Sequence, residues 1–550
     1  MLKHSNYQRI LLVYILLVPM SMAYSQLVLI NNDHIQQDSP GLDSSRQLDA
    51  QFGFSLAAYR NKLVIGSPGA LVNGNKAGAV YRLPSGRAGI FQYPHLFEKF
   101  SQDTPGIPGA PESGDNFGYS VAIGKFAWKS KGCDTDYDDC DGYMDVIAGV
   151  PYEDLSGDDH AGMVNMVFPG TDDCDVYASG NCGLSYNPLD QIYQSNGLDG
   201  SSEPGDRFGF ALAVGDFDGD DMPDLAIGVP GEAVNSNLAT NAGAVNVVMG
   251  YYQIGLDIYN DKFLSQSTLP GGARDDENFG YALAVGDYNG DGYDDLAIGV
   301  PYDVQTAGAN RNGGAVNIVY GSGGLFGGLS TSGAQHFDQD TDGIAGGSED
   351  NDQFGYALAA GDFDGDGYDD LAIGIPGEDI GSISNAGAIA VLYGTSSGIT
   401  ASGDQFIHQD TTYVNGAAEA GDRFGYALAT GDFNDDGVDD LAVGIPYENT
   451  GSTSDAGSVQ IFHGQQGGEL FGVNTDYSFH QGSLGYPGFV SANTRFGHAL
   501  VSSDFDMDGK DDLAVGTAGN LVTTGSMNGS VSVIYQKVFV DLIFADGFDN

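Results

Sequence analysis

Short acidic segments with the pattern Asp-x-Asp/Asn-x-Asp-Gly-x-x-Asp recur along the chain. Side-chain oxygens at positions 1, 3, 5 and 9, with a main-chain carbonyl at position 7, suit Ca²⁺, which takes six to eight oxygen ligands. Glycine, found at position 6 in most copies, allows the tight turn that wraps an ion. Mg²⁺ fits less well because it tends to keep its own waters. Five segments are predicted to bind calcium, with the ligands Asp216, Asp218, Asp220 and Asp224; Asp287, Asn289, Asp291 and Asp295; Asp362, Asp364, Asp366 and Asp370; Asp432, Asn434, Asp436 and Asp440; and Asp504, Asp506, Asp508 and Asp512.

EF-hands share the first six positions of this pattern, but they carry Glu at position 12. Here position 12 is Ile or Val in all five copies, inside an apolar run, so an EF-hand is excluded. The second repeat keeps only Asp139, Asp141 and Asp145, at positions 3, 5 and 9. The sequence leaves open whether a sixth calcium ion binds at that segment. The first repeat has Tyr-Arg-Asn-Lys at residues 59–62 and no ligands.

The acidic segments belong to a longer repeat of roughly 70 residues that opens on Phe-Gly. Each repeat contains four apolar runs of 5 to 8 residues, divided by Gly, Asp, Asn and Pro. Runs this short, without a helical period, predict β-strands. Seven units of four antiparallel strands predict an all-β fold, a seven-bladed β-propeller. The Phe-Gly pairs begin at Phe52, Phe117, Phe208, Phe279, Phe354, Phe424 and Phe496.

Aromatic side chains also occupy position 2 of the five acidic segments. We expect these residues, like the phenylalanines of the Phe-Gly pairs, to fill the space between neighbouring blades. They are Phe217, Tyr288, Phe363, Phe433 and Phe505.

The two ends of the chain indicate how the propeller closes. A Gln followed by Asp, Ser or Gly ends the fourth run of six repeats, 13 to 15 residues before the next Phe-Gly. A further copy, Gln37-Asp38, precedes the first Phe-Gly, and nothing similar follows the third run of the last repeat. We therefore predict that a strand within Leu27–Gln37 completes the last blade beside Val531–Tyr535, so that no sheet edge stays open.

The N-terminus has the features of a secretory signal peptide: basic residues, a short apolar run at Ile10–Val18 and small residues near Ser25. The expected organisation is a signal peptide at 1–25, the propeller at 26–536 and a C-terminal tail at 537–550. Four cysteines agree with export to an oxidising compartment. Three pairings are possible, and two local disulfides are favoured, Cys133 with Cys140 and Cys174 with Cys182.

Composition restricts the partners of this chain. Its 550 residues include 75 acidic and 20 basic ones, for a formal net charge of −55. Electrostatic repulsion makes nucleic acid and anionic membrane surfaces poor partners. No apolar run reaches the length of a transmembrane helix. We expect a monomer whose partner is an extracellular protein or glycan.

The repeat resembles the FG-GAP repeat of the integrin α-subunit head and of related secreted bacterial proteins. The resemblance covers about residues 27–535 and implies a calcium-binding propeller that recognises an extracellular ligand. Signalling through a β-subunit is not implied, because the sequence has no inserted ligand-binding domain, leg domains or Arg-Gly-Asp. The resemblance rests on the Phe-Gly pairs, on five acidic loops that match without gaps, and on a Gly-Val/Ile-Pro element ending at Pro151, Pro230, Pro301, Pro376 and Pro446.

We expect a secreted or cell-surface binding or adhesion module that calcium stabilises and that has no catalytic activity. No nucleophile elbow, zinc motif or phosphate-binding glycine loop occurs in the sequence. Two alternatives stay open, a carbohydrate-active propeller enzyme (a polysaccharide lyase or a glycosidase) and a purely structural surface protein. The single tryptophan, Trp128, weakens the enzyme alternative, because sialidase-type repeats each need one.

On the face opposite the acidic loops, an acidic residue follows the repeat's proline by two positions in five repeats. One hypothesis makes these residues, with Tyr152, Tyr302 and Tyr447 beside them, a recognition surface for a cationic or hydroxyl-rich ligand. The alternative is a solvated or turn-capping position that the repeat carries for its own folding. The acidic residues are Glu153, Glu232, Asp303, Glu378 and Glu448.

Overall fold

The computed structural model of the chain describes residues 32–42, 47, 49–126, 144–155, 157–167, 191–234, 239–251, 255–304, 312–324, 327–468, 470, 477–482, 490–519 and 529–536. The expected signal peptide at 1–25 and the tail at 537–550 lie outside these residues. So do the four cysteines of the predicted disulfides, Cys133, Cys140, Cys174 and Cys182, and two residues of the sixth acidic segment, Asp139 and Asp141.

Short strands make up nearly all of the regular structure in the described residues. Two 3₁₀ turns, Ile90–Gln92 and Pro94–Leu96, are the helical elements there, and no helix in that part of the chain could cross a membrane. The strands are β1 Asp33–Ile35, β2 Ser55–Tyr59, β3 Lys62–Ser67, β4 Leu71–Val72, β5 Asn75–Lys76, β6 Ala79–Pro84, β7 Glu98–Phe100, β8 Val121–Gly124, β9 Asp145–Val150, β10 Met163–Val167, β11 Gln191–Ile192, β12 Leu212–Gly215, β13 Asp224–Val229, β14 Ala244–Tyr251, β15 Gly255–Leu264, β16 Ala282–Gly286, β17 Asp295–Val300, β18 Ala315–Tyr320, β19 Ser330–Phe337, β20 Ala357–Gly361, β21 Asp370–Ile375, β22 Ala388–Tyr393, β23 Thr400–Ile407, β24 Ala427–Gly431, β25 Asp440–Ile445, β26 Ser458–Phe462, β27 Tyr477–Phe479, β28 Phe496–Ser503, β29 Asp512–Thr517 and β30 Ser530–Ile534.

These strands form seven four-stranded antiparallel sheets within the described chain, plus a small hairpin of β4 and β5. The first strands of successive blades contact one another in a closed ring, from β2 through β8, β12, β16, β20, β24 and β28 back to β2. The predicted seven-bladed β-propeller is therefore confirmed. Numbered in chain order, blade 1 is β2-β3-β6-β7, blade 2 is β8 to β11, blade 3 is β12 to β15, blade 4 is β16 to β19, blade 5 is β20 to β23, blade 6 is β24 to β27, and blade 7 is β28-β29-β30-β1.

The N-terminal strand closes the ring, as the sequence predicted. β1 pairs antiparallel with β30, and Ile35 lies opposite Val531. The Tyr535 hydroxyl donates a hydrogen bond to Asp33 at 2.6 Å and accepts one from the Ile90 amide at 3.0 Å. The last blade is thus built from both ends of the described chain.

Replacing Ile35 by Ala should weaken this closure. Ile35 is fully buried in β1, and losing a buried Ile side chain typically costs about 2–5 kcal/mol of unfolding free energy. His34, its half-buried neighbour on the same strand, provides the control, since His34→Ala should cost under about 1 kcal/mol. Urea unfolding of both variants measures the difference. Equal losses would mean that β1 does not hold the ring closed.

Each Phe-Gly pair forms the joint between two blades. The Phe354 amide of blade 5 donates to the Gly313 carbonyl of blade 4 at 2.9 Å, and Gly314 bridges Phe354 in parallel. The same parallel bridge joins Phe52 to Gly529 and so connects blade 1 to blade 7. The Phe-Gly signature therefore makes the contact that recurs between neighbouring blades around the ring.

The core lies between blades rather than within one sheet. The second strand of every blade is buried throughout its length. One apolar cluster, for example, packs Phe363 and Val391 of blade 5 against Leu441 and Val443 of blade 6. The aromatic residues predicted to fill this space are all fully buried, which confirms that prediction: the seven phenylalanines of the Phe-Gly pairs, and Phe217, Tyr288, Phe363, Phe433 and Phe505.

Candidate functional site

The acidic loops join the first and second strands of their blades. In three of them, three carboxylates offer oxygen atoms that all lie within 4.8 Å of one another. The fifth-position aspartates, Asp220, Asp366 and Asp508, lie outside these groups but within the same loops. The groups are Asp216, Asp218 and Asp224 in blade 3; Asp362, Asp364 and Asp370 in blade 5; and Asp504, Asp506 and Asp512 in blade 7.

Main-chain hydrogen bonds to the first aspartate shape each loop. In blade 5 the two oxygens of Asp362 accept from the amides of Asp366 and Gly367, both at 3.0 Å. Blade 3 has Asp221 at the glycine position, and Asp221 adopts the same left-handed backbone, with a φ of 63°. The loop therefore requires that backbone conformation rather than glycine itself.

The last aspartate of each loop starts the second strand and is buried. Asp370 is fully buried, and its two oxygens accept from the amides of Phe363 at 2.9 Å and Gly394 at 2.8 Å. Burial, reinforced by the nearby carboxylates of Asp364 and Asp362, raises the pKa of Asp370 to about 8. A bound cation would reverse this, because an opposite charge favours the ionised carboxylate.

Unsatisfied oxygens indicate that a cation fits these loops. Oδ1 of Asp218 in blade 3 and Oδ1 of Asn434 in blade 6 are buried and accept no hydrogen bond from any described residue. Buried oxygens without a donor are unfavourable unless something else meets them. An all-oxygen set of carboxylates and amide oxygens is what a hard cation such as Ca²⁺ prefers.

The two loops with asparagine at position 3 differ in detail. Blade 4 keeps the loop hydrogen bonds, since Asp287 accepts from Asp291 at 3.0 Å and from Gly292 at 2.9 Å. In blade 6, the His463 Nδ1 lies 2.8 Å from Asp440. Calcium binding by these two loops stays a prediction.

The second blade repeats one part of the loop. Asp145 begins β9, is buried, and accepts from the Phe126 amide at 2.9 Å. The ninth-position aspartates of the other acidic loops also begin the second strand of their blade and accept the same hydrogen bond. Because Asp139 and Asp141 lie outside the described residues, the sixth site also stays a prediction.

Sequence reasoning missed a second aspartate at position 8, which is present in the loops of blades 4 to 7 and replaced by Pro223 in blade 3. Asp369 of blade 5 accepts from the amide of Asp287, the first ligand position of blade 4, at 2.8 Å. The Asp-Asp pair at the start of the second strand in blades 4 to 7 was the available signal. Equivalent bonds join the first-position amide of one blade to Asp294, Asp439 and Asp511 of the next, at 2.7, 3.1 and 3.2 Å.

On the opposite face, the hypothesis of an acidic recognition surface is wrong. Glu378 is only 6% exposed, and its carboxylate accepts from Gln339 Nε2 at 2.8 Å. The same Gln-to-acid bond occurs in all five blades, and Asp303 also pairs with Arg274 at 3.3 Å. Five of the glutamines that mark the end of a fourth run thus hold these acids, four of them buried and Glu448 half-buried.

Replacing Glu378 by Gln should stabilise the protein at pH 8. Burial, and then the nearby Asp352, raise the pKa of Glu378 from 4.5 to about 7. The native state therefore holds this proton more tightly than the unfolded chain, and the stability it contributes is present below pH 4.5 and lost as pH rises through 7. Removing the ionisable group should raise the unfolding free energy by up to about 3 kcal/mol at pH 8 and leave it nearly unchanged at pH 4.5.

Urea unfolding in calcium at both pH values tests this expectation. Asp342→Asn, which alters an exposed carboxylate, is the matched control and should show no such pH-dependent gain. A stability difference for Glu378→Gln that is equal at the two pH values would contradict the expectation.

Seven aromatic side chains form a closed circle around the propeller axis on this face. This circle of side chains is called the aromatic ring below. The residue after each Phe-Gly pair contacts its counterparts in both neighbouring blades, with ring centroids 4.9 to 5.2 Å apart. Sequence reasoning missed it, although an aromatic side chain at this place in every repeat was visible. Its members are Phe54, Tyr119, Phe210, Tyr281, Tyr356, Tyr426 and His498.

The residue before each Phe-Gly pair is held in a left-handed conformation, with φ between 55° and 65°. None of the seven is glycine, although glycine adopts this conformation without strain. None is acidic either, in a chain with a net charge of −55. All seven are half-buried, and each lies three residues before a member of the aromatic ring: Gln51, Asn116, Arg207, Asn278, Gln353, Arg423 and Arg495.

Comparison with known proteins identifies the repeat. The FG-GAP repeat model matches residues 208–248, 279–316, 354–392, 424–462 and 496–534, which are blades 3 to 7. The chain is 30% identical to integrin alpha-5 of Xenopus laevis over 259 residues, covering 46% of this chain and 21% of that protein. It is 32% identical to integrin alpha-V of Gallus gallus over 274 residues, covering 48% of this chain and 22% of that protein.

A second group of relatives carries the name of an enzyme, a phospholipase D. The chain is 34% identical to phosphatidylinositol-glycan-specific phospholipase D of Bos taurus over 181 residues, covering 33% of this chain and 19% of that protein. The matched region spans about a fifth of the length of each relative. With its seven-bladed ring and its acidic loops, the chain is an FG-GAP repeat protein related to the integrin α chains and to phosphatidylinositol-glycan-specific phospholipase D.

Proposed function

We propose that the chain is a calcium-stabilised binding module, secreted or held at the cell surface, without catalytic activity of its own. The observation that carries the proposal is the gathering of three carboxylates within 4.8 Å in each of three FG-GAP loops. Like charges this close repel one another unless a cation lies between them.

The ion would have a structural role. In blade 5 it would be held by Asp362, Asp364, Asp366 and Asp370, and by the equivalent residues of blades 3, 4, 6 and 7, giving about five ions. A sixth ion, in blade 2, is left open. Because the first-position amides of blades 3 to 6 each donate to an aspartate of the next blade, ordering one loop would also order the loop beside it. Calcium would thereby stiffen one face of the ring and leave the other free for a ligand.

The binding role is supported by the face that carries the aromatic ring. This face, called the mouth of the propeller below, combines the half-buried tyrosines of the aromatic ring with the amide and guanidinium side chains that precede the Phe-Gly pairs. Such groups are typical of ligand sites. The relatives named integrin support recognition, and the match covers about a fifth of the length of each relative, the one named phospholipase D included. A carbohydrate-active enzyme and a purely structural surface protein are the alternatives. Export is supported by the N-terminal sequence and the four cysteines.

A pull-down with residues 26–550 from source-cell surfaces and medium, in calcium and in chelator, tests the proposal. The matched variant Asp224→Asn/Asp370→Asn/Asp512→Asn should behave in calcium as the unaltered chain does in chelator. We expect saturable capture of one identified protein or glycan that requires calcium. Turnover of a captured polysaccharide would favour the enzyme instead, and no capture in either condition would favour the structural role.

A further inference from the structure

Two guanidinium groups lie close to the same tyrosine ring on the aromatic face. The Cζ atoms of Arg423 and Arg495 lie 5.0 and 4.8 Å from the centre of the Tyr447 ring. We propose that this double-arginine corner, Arg423, Tyr447 and Arg495, binds a single carboxylated sugar unit. The proposal rests on the binding function proposed above and names the chemical class of its ligand.

Neither arginine pairs with a carboxylate of the described residues, although the chain has acids in excess. Among the described residues, Arg82 and Arg274 pair with carboxylates, whereas no described carboxylate lies within 4.0 Å of the guanidinium of Arg423 or Arg495. Nε of Arg495 is also buried without a hydrogen-bond partner in that part of the chain. A carboxylate bound by these guanidiniums would supply the missing counter-charge and accept several charge-assisted hydrogen bonds.

The corner is specific to blades 6 and 7. The same three positions are Asn116, Tyr152 and Arg207 at blades 2 and 3, and they are Asn278, Tyr302 and Gln353 at blades 4 and 5. Folding therefore accepts an amide at both outer positions. Arg423 and Arg495 hold left-handed φ angles of 57° and 55°, within the range shared by all seven residues at this position, so the backbone there does not require arginine. Two arginines here are thus not a requirement of the repeat.

The neighbouring side chains favour a sugar over an acidic polypeptide. Around the mouth, the left-handed position next to Arg423 is Gln353 and the one next to Arg495 is Gln51. Amides both donate and accept hydrogen bonds, as sugar hydroxyls require. A ligand with many charges would be repelled by a chain of net charge −55. One carboxylate flanked by hydroxyls meets both conditions.

Titration of residues 26–550 in calcium with glucuronate and with glucose, followed by ligand-observed NMR or calorimetry, tests the proposal. We expect saturable glucuronate binding and at least tenfold weaker glucose binding. Arg423→Gln/Arg495→Gln should weaken glucuronate binding at least tenfold, because it removes both charges. Arg207→Gln, which alters the single-arginine position stacked on Phe210 at 5.6 Å, should change it less than twofold.

Melting curves in calcium confirm that the variants are folded, and each single substitution, Arg423→Gln and Arg495→Gln, serves if the double variant is not. Equal glucuronate binding by the double variant, or no saturable binding by the unaltered chain, would overturn the proposal. So would an acidic tripeptide that displaces glucuronate at equal concentration. Calcium-dependent capture of a different ligand in the pull-down would leave the binding function standing while this assignment fails.

Discussion

Chelating calcium is expected to lower the melting temperature by about 8 °C or more. An ion present at 100 times its Kd contributes about 2.7 kcal/mol, so the three loops with gathered carboxylates together contribute about 8 kcal/mol. An unfolding entropy of about 2.1 cal/mol/K per residue gives roughly 1 kcal/mol per degree for a propeller of this length. Differential scanning calorimetry with and without chelator measures the shift.

Controls separate specific binding from general screening of charge. Calcium should restore the melting temperature fully, whereas Mg²⁺ at the same concentration should not, because it prefers fewer protein ligands and keeps its waters. Asp370→Asn should remove part of the calcium effect, and Asp340→Asn, at an exposed site, should remove none. A melting temperature unaffected by chelator would exclude structural calcium in these loops.

Replacing Gly374 by Ala should destabilise the protein by about 3 kcal/mol or more, the size of a severe steric conflict in a core. A Cβ atom at Gly374 would lie 2.1 Å from the Gly425 carbonyl oxygen of the next blade. That oxygen belongs to the Phe-Gly joint, so relief would require the two blades to separate. Urea unfolding in calcium measures the loss.

Gly347 provides the matched control for this substitution. A Cβ atom there would meet nothing within 4 Å, and its backbone is not left-handed. Gly347→Ala should therefore change the unfolding free energy by less than about 0.5 kcal/mol. Similar losses at Gly374 and Gly347 would contradict the view that contact between blades limits the ring.

Sequence reasoning predicted those features that depend on the type of residue at a fixed place in every repeat. Phe354 and Phe363 were assigned to the core because a large apolar residue at a fixed place in every unit is typical of a buried contact that each unit makes. Ring closure by β1 followed from Gln37. This residue matches the glutamine that ends a fourth run, and the last repeat was the one blade that still needed a fourth strand. Both conclusions depend on spacing alone, which a sequence states directly.

The direction of a side chain was the part that spacing could not predict. Glu378 looked like a surface acid because it follows a turn, yet Gln339, 39 residues earlier, holds it inside. The bond from Asp287 to Asp369 crosses between blades, so neither residue alone indicates it. Asp221 occupies the expected glycine position, since a short polar side chain tolerates left-handed backbone.

The pairing of β1 with β30 also dictates when the molecule can finish folding. Asp33 and Tyr535 are 502 positions apart in the chain, so the first strand to be synthesised has no partner until nearly the last one emerges. Contacts of such long range form slowly, because the intervening chain must be ordered first. A product that terminates before β30 would carry a seventh sheet with an unpaired edge, which is a template for aggregation. Closure of the ring thus depends on synthesis having passed β30.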